Sequence, residues 1–63
     1  MQYKYDATVD ALWIYVQEGK YDDTVEVAPD IFVDYDEGKN MLRIEMLHAS
    51  KMLKEIAEKQ VPA

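Results

Sequence analysis

Hydrophobic and polar residues along this 63-residue chain change their spacing once, near residue 48. Before that point apolar residues recur at every second position or form short runs, which is typical of β-strands. After it they recur every three to four positions, which is typical of an amphipathic helix. The pattern predicts strands over 2–5, 11–17, 24–28, 31–35 and 40–47, then a helix that Ser50 caps and that Pro62 cannot continue.

The central hairpin is the part whose register can be argued from the sequence. A four-residue loop over 36–39 pairs Val33 with Leu42 and keeps the aliphatic residues of both strands together. A three-residue loop would pair Val33 with Met41 instead. We predict the four-residue loop, because a slip of one residue turns the whole apolar set to the other face of the sheet.

Assembled, these elements predict an α+β fold in a single domain over residues 1–63. It is an antiparallel β-meander of four to five strands with one C-terminal helix packed on one face. The face expected under the helix, called the helix-side face below, carries Leu12, Ile14, Val16, Val25, Val27, Ile31, Val33, Leu42, Ile44 and Met46. The opposite face, called the outer face, carries Trp13, Tyr15, Phe32, Met41 and Leu47 among Thr24, Glu26, Asp34, Arg43 and Glu45.

The outer face is the predicted interaction surface, through Trp13, Tyr15, Phe32, Arg43 and Glu45. Aromatic residues and arginine are enriched at protein interfaces. We therefore expect the chain to form a homodimer or another homo-oligomer, or to bind another protein, through this face. The alternative is that these side chains simply cover one another, with Arg43 lying over Trp13 or paired with a neighbouring carboxylate.

Charge and length narrow the classes of partner. Seven basic against thirteen acidic residues give a net charge of −6, which disfavours direct nucleic-acid binding. The longest apolar run is the six residues of 11–16, far short of the roughly 20 needed to span a bilayer. We expect a cytoplasmic protein that does not bind a membrane.

Residues suited to catalysis are scarce. The chain has no cysteine and a single histidine, His48, so no Cys/His zinc site can be built. Ser50 lies near His48 in the sequence, but a nucleophile also needs a group that orients the base and donors for an oxyanion. The sequence therefore predicts no enzyme, no catalytic residue and no cofactor.

The acidic turn at residues 34–38, DYDEG, partly matches a calcium-binding loop. The fifth position of that loop is Gly38 and the sixth is Lys39, so one ligand is missing and the glycine is misplaced. We predict instead that Asp6 and Asp10 bond turn amides, and that Asp36 and Glu37 lie in water at the tip of the hairpin. A small-molecule or metal-binding protein that uses the turn carboxylates is the alternative function.

An ordered set of motifs resembles the small bacterial and archaeal family known as domain of unknown function 2283. The motifs are Tyr5-Asp6, Asp10-Ala11-Leu12-Trp13-Ile14, Ile31-Phe32-Val33-Asp34-Tyr35-Asp36, Ile44-Glu45-Met46-Leu47 and Ala49-Ser50. The resemblance runs from about Tyr3 to Ser50. Members often have proline at position 7, glycine near positions 30 and 43, and the turn glycine one position after Gly38.

This resemblance implies no established activity and no agreed catalytic residues. Members are thought sometimes to be encoded beside small toxin-like proteins. That setting would suit an acidic antitoxin that neutralises a basic partner.

Overall fold

A computed structural model describes residues 1–59 and shows five antiparallel strands in one sheet, followed by one helix. This confirms the predicted α+β class. The elements are β1 (Gln2–Asp6), β2 (Ala11–Tyr15), β3 (Asp23–Ala28), β4 (Ile31–Tyr35), β5 (Met41–Leu47) and α1 (Ala49–Glu58).

The strand order differs from a simple meander in one place. The order across the sheet is β1-β2-β5-β4-β3, so β5 lies between β2 and β4, and β3 does not pair with β2. The longest strand thus occupies the centre, where both of its backbone edges are hydrogen-bonded. The edge positions fall to β1 and β3, which carry charged residues that discourage further strand pairing.

The connection over residues 16–22 makes this order possible by crossing the end of the sheet. Val16 donates its backbone N–H to the Leu42 carbonyl at 2.9 Å, and Asp22 donates to the Tyr35 carbonyl at 2.8 Å. Between them the chain passes close over Leu42. A Cβ at Gly19 would lie 2.7 Å from Leu42 Cδ2, so the absence of a side chain allows this approach.

The hairpin register differs from the expected one by two residues. Val33 pairs with Ile44 rather than with Leu42, and a β-bulge near the turn shifts the pairing so that Tyr35 lies opposite Met41. Because side chains alternate with a period of two, a two-residue shift leaves every side chain beyond the bulge on its predicted face. The register was wrong, whereas the division into two faces is confirmed. A second bulge, between positions 26 and 28, takes Val27 out of the expected alternation.

The helix starts two residues before the expected position and is not capped by Ser50. His48 at the junction has left-handed backbone angles, φ 52° and ψ 43°, and forms no side-chain cap. Ser50 lies within the first turn, where its Oγ donates a hydrogen bond to Asp10 Oδ2 at 2.7 Å. The cap therefore comes from the β1–β2 turn. Pro62, expected to end the helix, lies outside the described residues.

The buried core is small and sits where the helix meets the sheet and at the sheet centre. Its members are Ala11, Val33, Leu42 and Ala49, all at most 7% exposed. Beyond its first turn the helix leaves much of its apolar stripe in contact with solvent, with Leu53 48% and Ile56 53% exposed. One helix of ten residues thus covers only part of the helix-side face.

Candidate interaction faces

The five predicted interaction residues come together on the outer face through strand pairing. Trp13 lies opposite Glu45, and Phe32 lies opposite Glu45 from the other side. Tyr15 lies opposite Arg43 in the next row. Because these rows are on neighbouring strands β2, β5 and β4, the five side chains form one continuous patch.

Polar contacts hold this patch in place. Trp13 donates its indole Nε1–H to Glu45 Oε2 at 2.7 Å, and Arg43 Nε donates to Asp34 Oδ2 at 2.7 Å. The other oxygen of Asp34 accepts a hydrogen bond from Thr24 Oγ1 at 2.6 Å. Each carboxylate fixes a neighbour on the adjacent strand, so the outer face is rigid before any partner arrives.

The outer face nevertheless remains accessible. Tyr15 is 41% exposed, and Trp13 and Phe32 are half-buried. The Arg43 side chain is 40% exposed, whereas that of Asp34 is 14% exposed. The patch thus offers aromatic and guanidinium surface to solvent, while the carboxylate beneath the guanidinium is largely covered.

The helix-side face contains an open groove between β1 and the helix, called the helix-side groove below. Its volume is about 650 Å³. The apolar or aromatic side chains that line it are those of Met1, Tyr3, Tyr5, Leu12, Ile14 and Leu53, and Gln2 and Ser50 complete the wall. No charged side chain is among these lining residues.

Asp10 connects the β1–β2 turn to the first turn of the helix, beside this groove. Its backbone carbonyl accepts the Ala49 N–H at 2.9 Å, and its Oδ1 accepts the Ser50 N–H at 3.1 Å. Tyr5 donates its hydroxyl to the same Oδ1 at 2.6 Å. The hydrogen bond from Tyr5, followed by those from Ser50, holds the pKa of Asp10 below its usual value, and the same bond raises the pKa of Tyr5.

From the sequence we expected the Asp10 carboxylate to accept hydrogen bonds from amides of its own turn. This prediction is wrong, because the backbone amide that it bonds belongs to Ser50. Asp10 itself adopts a left-handed conformation with φ 51°, and its carboxylate bonds Ser50, 40 residues away. Tyr3 and Tyr5 were missed as groove residues because β1 was treated as an edge strand without an assigned face. Their alternation with Gln2 and Lys4 was the available signal.

The remaining turn carboxylates accept hydrogen bonds from their own turns, which was predicted for Asp6 but not for Asp36. Asp6 Oδ1 accepts the Thr8 N–H at 2.9 Å, and Asp36 Oδ1 accepts the Asn40 N–H at 2.9 Å. The side-chain bond from Thr8 is the main cause of the lowered pKa of Asp6, and the backbone bond from Asn40 is the main cause for Asp36. Within residues 1–59, no group of three or more His, Cys, Asp or Glu side chains is placed to hold a metal ion.

A family model described as a protein of unknown function, DUF2283, matches residues 2–50. The chain belongs to the DUF2283 family. No curated protein and no solved structure matches it. The DUF2283 region contains all five strands and the first two residues of the helix, so both faces of the sheet lie within it. No helix in the described part of this family member is long and apolar enough to cross a membrane.

Proposed function

We propose that this DUF2283 protein is a binding module that holds a positively charged protein on its outer face. The observation that carries the proposal is the continuous patch of Trp13, Tyr15, Phe32, Arg43 and Glu45 across three neighbouring strands. Tryptophan, tyrosine and arginine are the residues that most often dominate binding energy at protein interfaces. The role is one of recognition, with no catalytic step.

The charges on the outer face suit a basic partner. Strand alternation and pairing place four carboxylates on this face against two basic side chains: Asp6, Glu26, Asp34 and Glu45 against Lys4 and Arg43. The chain as a whole carries a net charge of −6. Opposite charge on the partner would accelerate encounter and disfavour acidic competitors.

Pre-organisation adds to this argument. The Trp13 indole and the Arg43 guanidinium are each fixed by a hydrogen bond of 2.7 Å to a carboxylate on an adjacent strand. Side chains that are already ordered lose little conformational entropy on binding. A small basic toxin neutralised by this acidic module is the most concrete form of such a partner.

A photo-crosslinking amino acid incorporated at position 15 tests the proposal, both in the source cell and in its lysate. Tyr15 is exposed on the outer face, and its replacement disturbs none of the hydrogen bonds that order the patch. We expect one abundant adduct with a basic protein, which mass spectrometry would identify. The yield should fall as salt is added to the lysate before illumination, because the attraction between opposite charges is screened.

Position 9 is the matched control. Val9 is 61% exposed, which is more than Tyr15, and it lies in the β1–β2 turn outside the patch. Random collisions would therefore label position 9 at least as well as position 15. Equal labelling at both positions, or an adduct at position 15 with an acidic protein alone, would contradict the proposal.

A further inference from the structure

We infer that the helix-side groove is covered by a second copy of this chain, in a two-fold symmetric dimer. The exposed apolar stripe of each helix would pack on the groove of the other copy. This surface is separate from the outer face, so the dimer and the basic partner proposed above do not compete for the same residues.

Surface area is the first argument. The chain exposes 5041 Å², whereas a compact monomer of 7.4 kDa exposes about 4,200 Å². The excess is about 800 Å², which is the area that each partner buries in a protein interface of ordinary size. The radius of gyration, 13.2 Å, also exceeds the value of about 10.6 Å expected for a domain of this length.

Large apolar side chains are exposed beside the groove. Tyr3 is 77% exposed, and Leu53 and Ile56 are each about half exposed on the helix. Tyr3 and Leu53 both line the groove, which the helix of the same copy leaves open. A large exposed apolar patch of this kind marks a binding surface, because a stable monomer would bury it.

Charge favours a second copy as the occupant. Two chains of net charge −6 repel, so they can associate only where carboxylates do not meet, and none of the described side chains that line the groove is charged. The helix and its C-cap residue Lys59 together carry three lysines against two glutamates, while the rest of the chain has four basic against eleven acidic residues. A helix from one copy therefore brings positive charge to the acidic sheet of the other.

Sedimentation equilibrium measures the association directly. At about 100 μM the wild-type protein should have twice the 7.4 kDa mass of one chain, since interfaces of this area reach micromolar affinity or better. A wild-type protein that remains monomeric at that concentration would overturn the inference.

Two pairs of variants locate the interface. Leu53→Ser and Tyr3→Ser remove apolar groups from the groove, and each should raise the dissociation constant at least tenfold. Lys54→Ser and Lys4→Ser make the same replacement one position along, where the side chains point away from the groove. Each removes one exposed positive charge and should raise the dissociation constant by much less than tenfold. Circular dichroism would verify that the variants are folded, which is expected because all four positions are exposed.

A fifth variant separates this inference from the proposed function. Trp13→Ser disrupts the outer face and should leave the dimer intact. If Trp13→Ser abolishes the dimer while Leu53→Ser and Tyr3→Ser do not, the copies associate through the outer face and the groove is not the interface. Loss of the basic partner without loss of the dimer would affect only the outer-face proposal.

Discussion

The two faces of the sheet are both rich in apolar side chains, but they are held in different ways. On the outer face, hydrogen bonds of 2.7 Å tie Trp13 to Glu45 and Arg43 to Asp34. On the helix-side face, aliphatic and tyrosine side chains surround an open groove, and Leu53 on the helix is 48% exposed.

The two faces therefore depend on different interactions for their stability. Polar contacts between strands specify the geometry of the outer face within a single copy, so that face is complete in the monomer. Apolar side chains on the helix-side face gain stability only when something covers them, and the helix covers them in part. The outer face is therefore suited to recognition, and the helix-side face governs stability.

The largest expected effect compares two leucines associated with the helix-side face. Leu42 is 7% exposed and Leu53 is 48% exposed. Leu42→Ala should lower the free energy of unfolding by about 3 kcal/mol, which is most of the stability of a domain this small. Leu53→Ala should cost about 1 kcal/mol or less in dilute solution, because much of its side chain is already in water. Urea denaturation measures both.

Protein concentration sharpens this comparison. If a second copy covers Leu53, the cost of Leu53→Ala should grow as the protein concentration rises, because association stabilises only the wild type strongly. The cost of Leu42→Ala arises within one copy and should change much less. A concentration-independent cost for both variants would show that the helix-side face is as complete as the outer face.

An intermediate effect is expected on the outer face. Trp13→Phe keeps an aromatic ring but removes the N–H that Glu45 accepts, and leaves a half-buried carboxylate without that donor. The free energy of unfolding should fall by about 1 to 2 kcal/mol. Tyr15→Phe on the same face removes an exposed hydroxyl and should change it by less than about 0.5 kcal/mol. Equal effects in the two variants would mean that the bond to Glu45 does not order this face.

The smallest effect concerns Asp10, which attaches the helix at the edge of the helix-side face. Its pKa is lowered, first by the hydrogen bond from Tyr5 and then by those from Ser50. Because the pKa of Asp10 is lower in the folded state than in the unfolded state, its ionised carboxylate stabilises the fold. This stabilisation is fully present above the ordinary pKa of about 4 and is lost as the pH falls through the lowered pKa. Wild-type stability should therefore fall more between pH 7 and pH 3 than that of Asp10→Asn.

Asparagine is a suitable replacement because it tolerates the left-handed conformation that Asp10 adopts. Asp6 and Asp36 also have lowered pKa values and remain in both proteins, so the difference between the two acid curves isolates Asp10. Urea midpoints across this pH range provide the curves. Parallel curves would show that the ionised carboxylate of Asp10 does not stabilise the fold.

The sequence was sufficient to assign the side chains of β2, β4 and β5 to faces, because that assignment depends only on a period of two, whereas the bulge at Val27 broke the period in β3. The assignment is correct despite the register error, because the observed partner of Val33 is Ile44 and the predicted one was Leu42, a difference of two positions. The outer-face patch was found for the same reason. Alternation is a local property of each strand and needs no knowledge of which strands are neighbours.

Features that depend on distant parts of the chain were not predictable in this way. The contact of Asp10 with Ser50 spans 40 residues and involves two residue types that also serve as local caps, so the local interpretation came first. The place of β5 between β2 and β4 depends on a crossing connection that Gly19 permits. The open groove depends on how far the helix lies over the sheet, which its apolar stripe does not specify.

The central position of β5 also has a consequence for synthesis of the protein on the ribosome. The strands before it form two separate hairpins, β1–β2 and β3–β4, which have no strand pairing with each other until Met41–Leu47 is available between them. Isolated two-stranded hairpins are marginally stable at best in water. A nascent chain that ends before residue 41 would therefore lack a stable sheet, and cooperative folding would begin only when the last strand has left the exit tunnel.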